Sequence, residues 1–272
     1  MISINIIVCI KQVPATTEVK LNPETNTIIR EGVESVLNPF DAYAIEEALR
    51  MRARAGAGKV TALSMGIPNV ATMLKETLTL GVDEAVLLSD RKFAGADSLA
   101  TAHALAQAIL KVGPFDLVIC GKQATDGDTA QVGPSLAEKL GIPHTTYVQE
   151  IKYLDHSKIR CKRQTDEGFE IVEMDLPAVI TVLKDINVPR LPSIRGMRQA
   201  LQTEVKVWGA ADIGVDENTI GLKGSPTQVA RTFVPNHVVD GVMLVGTPKQ
   251  QAQSLISVLQ HTGLLKGQVA GL

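Results

Sequence analysis

The first half of the chain alternates apolar strand-like runs with amphipathic helical segments. Repeated strand–helix units predict an α/β fold with a doubly wound, mostly parallel sheet and helices on both faces. Ligands of such sheets bind beyond the carboxyl ends of the strands, so that edge is where a site is expected. The strand-like runs are INIIVCI (4–10), KVTALSM (59–65), EAVLLS (84–89) and FDLVIC (115–120).

The helix that follows residue 38 has a clear start and end in the sequence. Asn38 is a favourable N-cap, Pro39 suits the first helical position, and Asp41 has the spacing of a capping box. A glycine at position 56 ends the segment. Its charged residues are expected to form a solvated face: Glu46, Glu47, Arg50, Arg52 and Arg54.

Composition excludes several classes of function. Aromatic residues make up 3% of the 272 residues and the net charge is −2, so a basic, base-stacking surface for nucleic acid is not expected. No apolar run approaches the roughly 18–20 residues that span a bilayer. The N-terminus lacks the basic start and cleavage site of a signal peptide. These features predict a cytoplasmic protein without a membrane span.

The chain shows no pattern of a catalytic or metal-binding site. Its three cysteines, Cys9, Cys120 and Cys161, form no CxxC pair and are expected to be buried thiols. The five histidines form no HxxxH or HExxH motif, and no nucleophile–base pair follows from spacing. We therefore expect no catalytic side chains and no metal, but a bound cofactor that carries the chemistry.

The second half of the chain has a different texture. Short β-rich runs after residue 143 predict hairpins that extend the sheet, and residues 19–30 predict another hairpin. Beyond about residue 185 only the terminal segment is clearly helical, with Ala252, Leu255, Ile256 and Leu259 on one face. We expect an α/β nucleotide-binding domain over 1–185 and a C-terminal arm over 186–272 that lies against its own domain or a partner subunit.

The stretch GKQATDGDTAQVGP (121–134) is the main candidate site, because it joins a strand to a helix at the expected edge. A helix starting near Thr129 presents backbone N–H groups that bind an anion. Thr129 and Gln131 add side-chain hydrogen bonds, and Gly133 permits close backbone approach.

The same stretch contains two aspartates, whose negative charges would repel a bound anion. Asp126 and Asp128 either cap the turn or accept hydrogen bonds from ribose hydroxyls, which leaves the N–H groups for phosphate. The alternative is a turn followed by an N-cap, with no ligand at all.

A second polar helix start lies at residues 93–105, with Gly95, Asp97, Ser98 and Thr101. Asp97 is a good N-cap, and an ordinary cap is sufficient to explain the residue types. Spacing alone does not distinguish such a cap from a ligand contact.

The chain resembles the β subunit of electron-transfer flavoprotein over essentially its whole length. The matching segments are VCIKQVP, LNPFDAYAIEEAL, SMG, GKQATDGDTAQVGP and RQTDEGFEIVEMDLPAVITV (163–182). Just before the last of these, Cys161 stands where a small aliphatic residue is more usual. The resemblance implies a heterodimer whose α subunit carries one FAD while this chain holds an adenine nucleotide. The implied nucleotide contacts are Cys9, Asn38, Pro39, Phe40, Asp41, Met65, Thr125, Asp126, Gly127, Asp128, Thr129, Ala130, Gln131, Val132 and Gly133.

Three further segments are similar to the electron-bifurcating branch of that family: SDRKFAGADSLATAHALAQAI, SIRG and GSPTQV. In that branch the nucleotide is a second FAD reduced by NADH, and ferredoxin or flavodoxin is the low-potential acceptor. The resemblance then makes Asp97, Ser98 and Thr101 flavin or NADH contacts. The segment NVPRLPSI resembles the loop that docks an acyl-CoA or related dehydrogenase, with Leu191 as its apolar anchor.

Two alternatives stay open from the sequence. One is a non-bifurcating electron-transfer flavoprotein β subunit that holds AMP. The other is a stand-alone nucleotide sensor of the universal-stress type, which has a similar layered architecture but needs no long irregular arm.

Overall fold

The computed structural model describes residues 2–15, 34–155, 157–230 and 241–265. The hairpin predicted at residues 19–30 lies outside them. The chain divides into a large unit, Met1–Thr232, and a small unit, Phe233–Leu272.

Strands and helices alternate through the large unit as the sequence pattern predicts. Its strands are β1 (Ile2–Cys9), β2 (Gln12–Pro14), β3 (Ser35–Leu37), β4 (Gly56–Met65), β5 (Glu84–Leu88), β6 (Leu117–Gly121), β7 (His144–Leu154), β8 (Lys158–Gln164), β9 (Phe169–Asp175), β10 (Ala178–Val182) and β11 (Lys206–Trp208). Its α-helices are α1 (Pro39–Ala55), α2 (Val70–Leu80), α3 (Ser98–Val112), α4 (Val132–Leu140) and α5 (Ile194–Gln202). Short 3₁₀ turns lie at Arg91–Phe93, Ala211–Ile213 and Glu217–Thr219.

Nine strands form one mostly parallel sheet in the order β11-β5-β4-β1-β6-β10-β7-β8-β9. The strands from β11 to β7 pair in parallel, whereas β7, β8 and β9 form antiparallel pairs. The predicted doubly wound α/β fold with a hairpin extension is confirmed. The last β-rich run was expected to belong to a hairpin; instead it is β10, which inserts as a parallel strand between β6 and β7.

Alternate residues of the central strands pack into two separate cores. In β1, Ile6 and Val8 join the core under α1 and α2, whereas Ile7 and Cys9 join the core under α3 and α4. This alternation follows from the two-residue period of a strand. The central strands are therefore buried on both faces, and their carboxyl edge is left as the accessible rim.

Part of the irregular region after residue 185 belongs to the large unit and packs against its sheet and its helices. Strand β11 pairs with β5, and α5 packs against α2, where Gly196 lies on the carbonyl oxygen of Thr79. In the small unit, helix α6 (Pro248–His261) has a complete capping box between Thr247 and Gln250 and no buried residue within the described range. Among the described residues, no helix has the length and apolar character to cross a membrane.

Candidate functional site

The carboxyl ends of β1 and β6 lie side by side, because the strands pair in register with Cys9 opposite Cys120. Helix α1 begins at the same place: the N–H of Asn38 donates to the carbonyl oxygen of Lys11 at 2.9 Å, just after β1. The β6–α4 loop (residues 122–131) starts from the end of β6. Three of the predicted site segments therefore meet at one corner of the sheet edge.

Asn38 binds the β6–α4 loop rather than its own helix. Its amide nitrogen donates to the carbonyl oxygen of Gln123 at 2.9 Å, and its amide oxygen accepts from the N–H of Thr125 at 3.3 Å. Asn38 does occupy the N-cap position, but its side chain makes no capping hydrogen bond. The residue fixes the loop to the start of α1.

Asp41 is the buried acid of this corner. Its carboxylate accepts from the N–H of Lys11 at 2.7 Å and from the N–H of Gly121. The N–H of Asn38 bonds to Lys11 instead, so the predicted capping box is wrong: tertiary contacts take both side chains. Burial raises the pKa of Asp41 from its ordinary 3.8 to about 7, although hydrogen bonds from Asn38, Lys11 and Gly121 act to lower it.

The β6–α4 loop holds strained backbone. Asp128 and Ala130 have φ of 48° and 53°, a left-handed conformation that costs a non-glycine residue about 1–2 kcal/mol. Because this turn interrupts the helix, α4 begins at Val132 and not near Thr129 as predicted. Strained turns of this type collect at ligand sites, and their successive N–H groups form concave anion sites.

The two aspartates of the loop are bound to side chains of this chain. Both carboxylate oxygens of Asp126 accept from the ammonium of Lys11 at 2.7 Å, and Asp128 accepts from the amide of Gln123 at 2.7 Å. The N–H groups in the first turn of α4 have no intrahelical acceptor. The loop thus satisfies its own acids and keeps backbone donors for an anion.

Gly133 has a packing role that the sequence did not reveal. It is buried, and a side chain at this position would collide with the Cγ2 methyl of Thr181 on β10. The predicted reason for this glycine was close approach of a ligand. The structure supplies another reason, which is the close contact between α4 and the sheet.

The thiols of Cys9 and Cys120 face each other at the ends of their strands. A hydrogen bond that the Cys120 thiol donates to Cys9, together with burial, raises the pKa of Cys120 far above its ordinary value. Burial also raises the pKa of Cys161 to about 12. All three cysteines are free and buried, as predicted. The raised pKa values keep the thiols of Cys120 and Cys161 protonated at neutral pH, so these two cysteines are not nucleophiles.

The start of α3 is held by a distant part of the chain. Asp97 caps the helix by accepting from the N–H groups of Leu99 and Ala100, both at 3.0 Å. Its second oxygen accepts from the N–H and hydroxyl of Thr227 at 3.1 and 2.8 Å, and its own N–H donates to Ser225 at 2.8 Å. We call this set the Asp97 clasp. It joins the GADSLAT and GSPTQV segments.

Hydrogen bonding in the clasp sets the charge of Asp97. Its partial burial acts to raise the pKa of this carboxyl, but the Ala100 N–H and the Thr227 hydroxyl outweigh that effect and lower the pKa. The hydroxyls of Ser98 and Thr101 make no hydrogen bond within the described part of the chain. They remain available to a ligand, whereas Asp97 is engaged.

The other predicted contact residues lie along the same carboxyl edge. Met65 ends β4, the neighbour of β1 on the side away from β6. Residues from the start of α1 and from the β6–α4 loop complete the set: Pro39, Phe40, Thr125, Gly127, Thr129, Gln131 and Val132.

The charged face predicted for α1 is wrong for two of its residues. Glu46 and Glu47 are buried, with 6% and 3% of their surface exposed. They bind Arg190 and Asn187 in the segment that precedes α5, while Leu191 of that segment is 87% exposed. The interior position of these acids follows from a distant contact that helical periodicity does not show.

Comparisons with known proteins agree with this architecture. A family model described as the electron transfer flavoprotein domain matches residues 25–213. A relative from Thermoanaerobacterium thermosaccharolyticum, named electron transfer flavoprotein subunit beta, is 50% identical over 256 residues, or 94% of this chain and 97% of that protein. The chain belongs to the electron-transfer flavoprotein β-subunit family.

Two other relatives have different names. The caffeyl-CoA reductase-Etf complex subunit CarD of Acetobacterium woodii is 46% identical over 261 residues, covering 96% of this chain and 99% of the relative. Protein FixA of Bradyrhizobium diazoefficiens is 43% identical over 260 residues, covering 93% of this chain and 90% of the relative. The family resemblance predicted from the motifs is confirmed.

Some residues of the candidate site, and of the segment that precedes α5, were missed from sequence. Lys11 was not proposed as a site residue, although a cation directly after the first strand of a parallel sheet lies at the expected edge. Ser225 and Thr227 were in a segment with a family resemblance but no assigned contact. No local signal placed Arg190 against Glu46, because 144 residues separate them.

Proposed function

We propose that this chain is the β subunit of a heterodimeric electron-transfer flavoprotein that binds FAD and accepts hydride from NADH for flavin-based electron bifurcation. In this proposal the α subunit carries a second FAD. The electrons leave for an acyl-CoA or related dehydrogenase and for ferredoxin or flavodoxin, in the cytoplasm. Family membership supports the electron-transfer role, and the site residues support the choice of cofactor and branch.

The corner formed by β1, α1 and the β6–α4 loop fits the AMP half of an adenine dinucleotide. Free N–H groups in the first turn of α4 suit a phosphate, and the helix dipole favours its charge. Lys11 holds its ammonium on Asp126 of the β6–α4 loop, which leads into this helix. Carboxylate oxygens of Asp126 and Asp128 are suitable acceptors for ribose hydroxyls.

The bound flavin would supply the redox chemistry, in which a hydride is taken from NADH and the two electrons leave separately. The residues of this chain bind and orient. Pairing of Asp126 and Asp128 with Lys11 and Gln123 limits repulsion of the pyrophosphate. The buried thiol of Cys120, whose pKa is raised, offers a neutral surface beside it.

The Asp97 clasp carries the choice of FAD over AMP. It places a second polar helix start on the same sheet edge, with the hydroxyls of Ser98 and Thr101 free for the distal half of a dinucleotide. The two segments that it joins are two of the three that resemble the bifurcating branch. AMP lacks the distal half of a dinucleotide, so an AMP site needs only the corner formed by β1, α1 and the β6–α4 loop.

A non-bifurcating β subunit that holds AMP is the second candidate. One observation favours it: Asp97 is fully engaged as a cap and in the clasp, so this carboxylate is not free to contact a flavin. The proposed FAD contacts at α3 are therefore Ser98 and Thr101, and the contact predicted for Asp97 becomes an indirect one.

Surfaces outside the cofactor site support the proposed protein partners. Leu191 is 87% exposed and suits an apolar anchor for the dehydrogenase. In the small unit, Leu255 and Val258 of α6 are 47% and 50% exposed, which suits a helix that covers the α subunit. A chain truncated before Pro248 is expected to co-purify with the α subunit below full stoichiometry. Unchanged stoichiometry would contradict this contact.

Identification of the released nucleotides tests the cofactor assignment. The heterodimer is purified with its α subunit, denatured, and its nucleotides are separated and counted. We expect two FAD molecules per heterodimer and no AMP. One FAD with one AMP would establish the second candidate.

A matched pair of variants tests the role of α3. Thr101→Val removes a hydroxyl at the proposed flavin position, whereas Thr79→Val makes the same change at the far end of α2. The first is expected to reduce FAD retained by this subunit and the second to leave it unchanged. Equal retention in both variants would remove α3 from the FAD site.

A further inference from the structure

The β10–α5 segment (residues 187–191) is tied to α1 by an ion pair. The Arg190 guanidinium donates to Glu46 from Nε at 2.6 Å and from its terminal nitrogen at 3.1 Å, and the Arg190 N–H adds a third bond at 3.2 Å. Only 8% of the Glu46 side chain is exposed. A two-pronged guanidinium–carboxylate contact of this type fixes both partners in one geometry.

Asn187 provides a second tie to the same helix. Its amide nitrogen donates to the carbonyl oxygen of Tyr43 and to a carboxylate oxygen of Glu47, both at 3.0 Å. Asn187 is itself buried. Within the described part of the chain, the hydrogen bonds of the β10–α5 segment all go to α1.

Apolar packing does little to hold this segment. A cavity of about 100 Å³ remains beneath it, between Ile45, Leu80 and Pro189. The outward side chains Val188 and Leu191 are 86% and 87% exposed and contribute no packing to the fold. The polar ties to α1 therefore determine where these two side chains point.

We infer that Glu46 is a positioning residue for docking: through Arg190 it holds Leu191 in the orientation that the redox partner meets. This inference rests on the proposed docking role of Leu191. The chain around it carries Arg195 and Arg198 and no acid between residues 186 and 203, so the partner surface is an apolar groove with an acidic rim. Arg190 itself faces Glu46 and not the partner.

Hydrogen–deuterium exchange of the heterodimer tests the positioning directly. We compare Glu46→Gln, Arg190→Gln and the double variant with Glu76→Gln, an equivalent change on an exposed acid of α2. The amide of residue 190, which donates to Glu46, is expected to exchange about fivefold faster in the first three, because the charged tie is lost. Amides of α1 and of the β6–α4 loop should not change. Equal exchange in all four variants would overturn the inference.

Electron transfer to the heterodimer from an acyl-CoA dehydrogenase reduced by its acyl-CoA tests the consequence. Each of the three variants is expected to raise KM for the dehydrogenase by the same factor, about five- to tenfold, with kcat within about twofold. Glu76→Gln should match the unmodified protein. A larger effect of Arg190→Gln, additive with Glu46→Gln, would show that Arg190 contacts the partner and would overturn the assignment.

The two experiments separate this inference from the proposed function. If the unmodified heterodimer accepts no electrons from the dehydrogenase, the proposed partner is wrong, while the exchange measurement still decides whether Glu46 orders the segment. If exchange changes but KM does not, Glu46 is structural only and the positioning role is overturned.

Discussion

Two irregular segments follow neighbouring strands of the sheet, and α1 holds both of them by different means. Asn38, at the start of α1, holds the β6–α4 loop by hydrogen bonds to the backbone groups of that loop. Glu46 and Glu47 of α1 hold the β10–α5 segment by hydrogen bonds from two of its side chains, one of which is a charged guanidinium. The first arrangement keeps backbone donors of the loop and of α4 available, and the second keeps apolar side chains outside.

This difference matches the ligands that the two segments are proposed to take. A phosphate is bound by oriented N–H groups, which need a backbone fixed from below. A protein partner is bound by apolar anchors, which need a fixed side-chain direction. One helix thus supports a small-molecule site at its start and a protein-docking surface farther along.

The largest expected effect concerns Asp41, the buried acid beneath the β6–α4 loop. Its pKa is about 7 in the fold and about 3.8 when unfolded, so the folded state holds more protons between these values. Stability should therefore fall as pH rises from about 4 to about 7, by at most about 4 kcal/mol.

Chemical denaturation at a series of pH values measures this slope in the full chain and in Asp41→Asn. The variant has no carboxyl at this position, so its slope over the same window should be flatter. An equal slope in both proteins would show that another group is responsible.

The contact between Gly121 and α1 should give the next largest effect. An added Cβ at Gly121 would collide with the Asp41 carboxylate and with the backbone of Phe40, whereas one at Gly127 meets nothing within 4 Å. We expect Gly121→Ala to lower the free energy of unfolding by about 3 kcal/mol and Gly127→Ala to change it by less than about 0.5. Thermal unfolding of both variants measures the difference, and equal losses would contradict the contact.

Gly133 separates packing from ligand approach. Gly133→Ala should cost about 2 kcal/mol because its methyl meets Cγ2 of Thr181. Thr181→Ser removes that methyl and keeps the hydroxyl that accepts from the N–H of Tyr147 at 3.2 Å. The double variant is expected to regain both stability and bound nucleotide. A double variant that is stable but empty would show that the glycine serves the ligand.

Sequence patterns predicted the parallel core well and the loop contacts less well. The two-residue period of β1 and the glycine after α1 are local signals, and both segments form as expected. Asn38 and Asp41 also give a local signal, but tertiary partners take their side chains. The Asn38 amide binds the backbone of Gln123 and Thr125. The Asp41 carboxylate accepts from the N–H groups of Lys11 and Gly121. Local propensity cannot show which of two satisfactory partners a polar group will meet in the fold.

The smallest expected effect is at the exposed ion pair between Lys11 and Asp126. Asp126→Asn should change stability by less than about 1 kcal/mol, because both side chains are partly solvated. It should nevertheless strengthen nucleotide binding at low salt, since Lys11 is released to the phosphate. Calorimetric titration with the nucleotide that the heterodimer releases measures this change. Weaker binding would show that Asp126 is needed as a hydroxyl acceptor.

Anaerobic titration of the purified heterodimer with NADH tests the central claim most directly, because only a flavin in this subunit and open to nicotinamide gives the expected response. The flavin absorbance should bleach as NADH is added, and the Thr101→Val heterodimer should lose the response together with its second FAD. Thr79→Val should keep both. Flavin absorbance that does not change with NADH would contradict the bifurcating assignment and leave the AMP-holding electron carrier as the function of this chain.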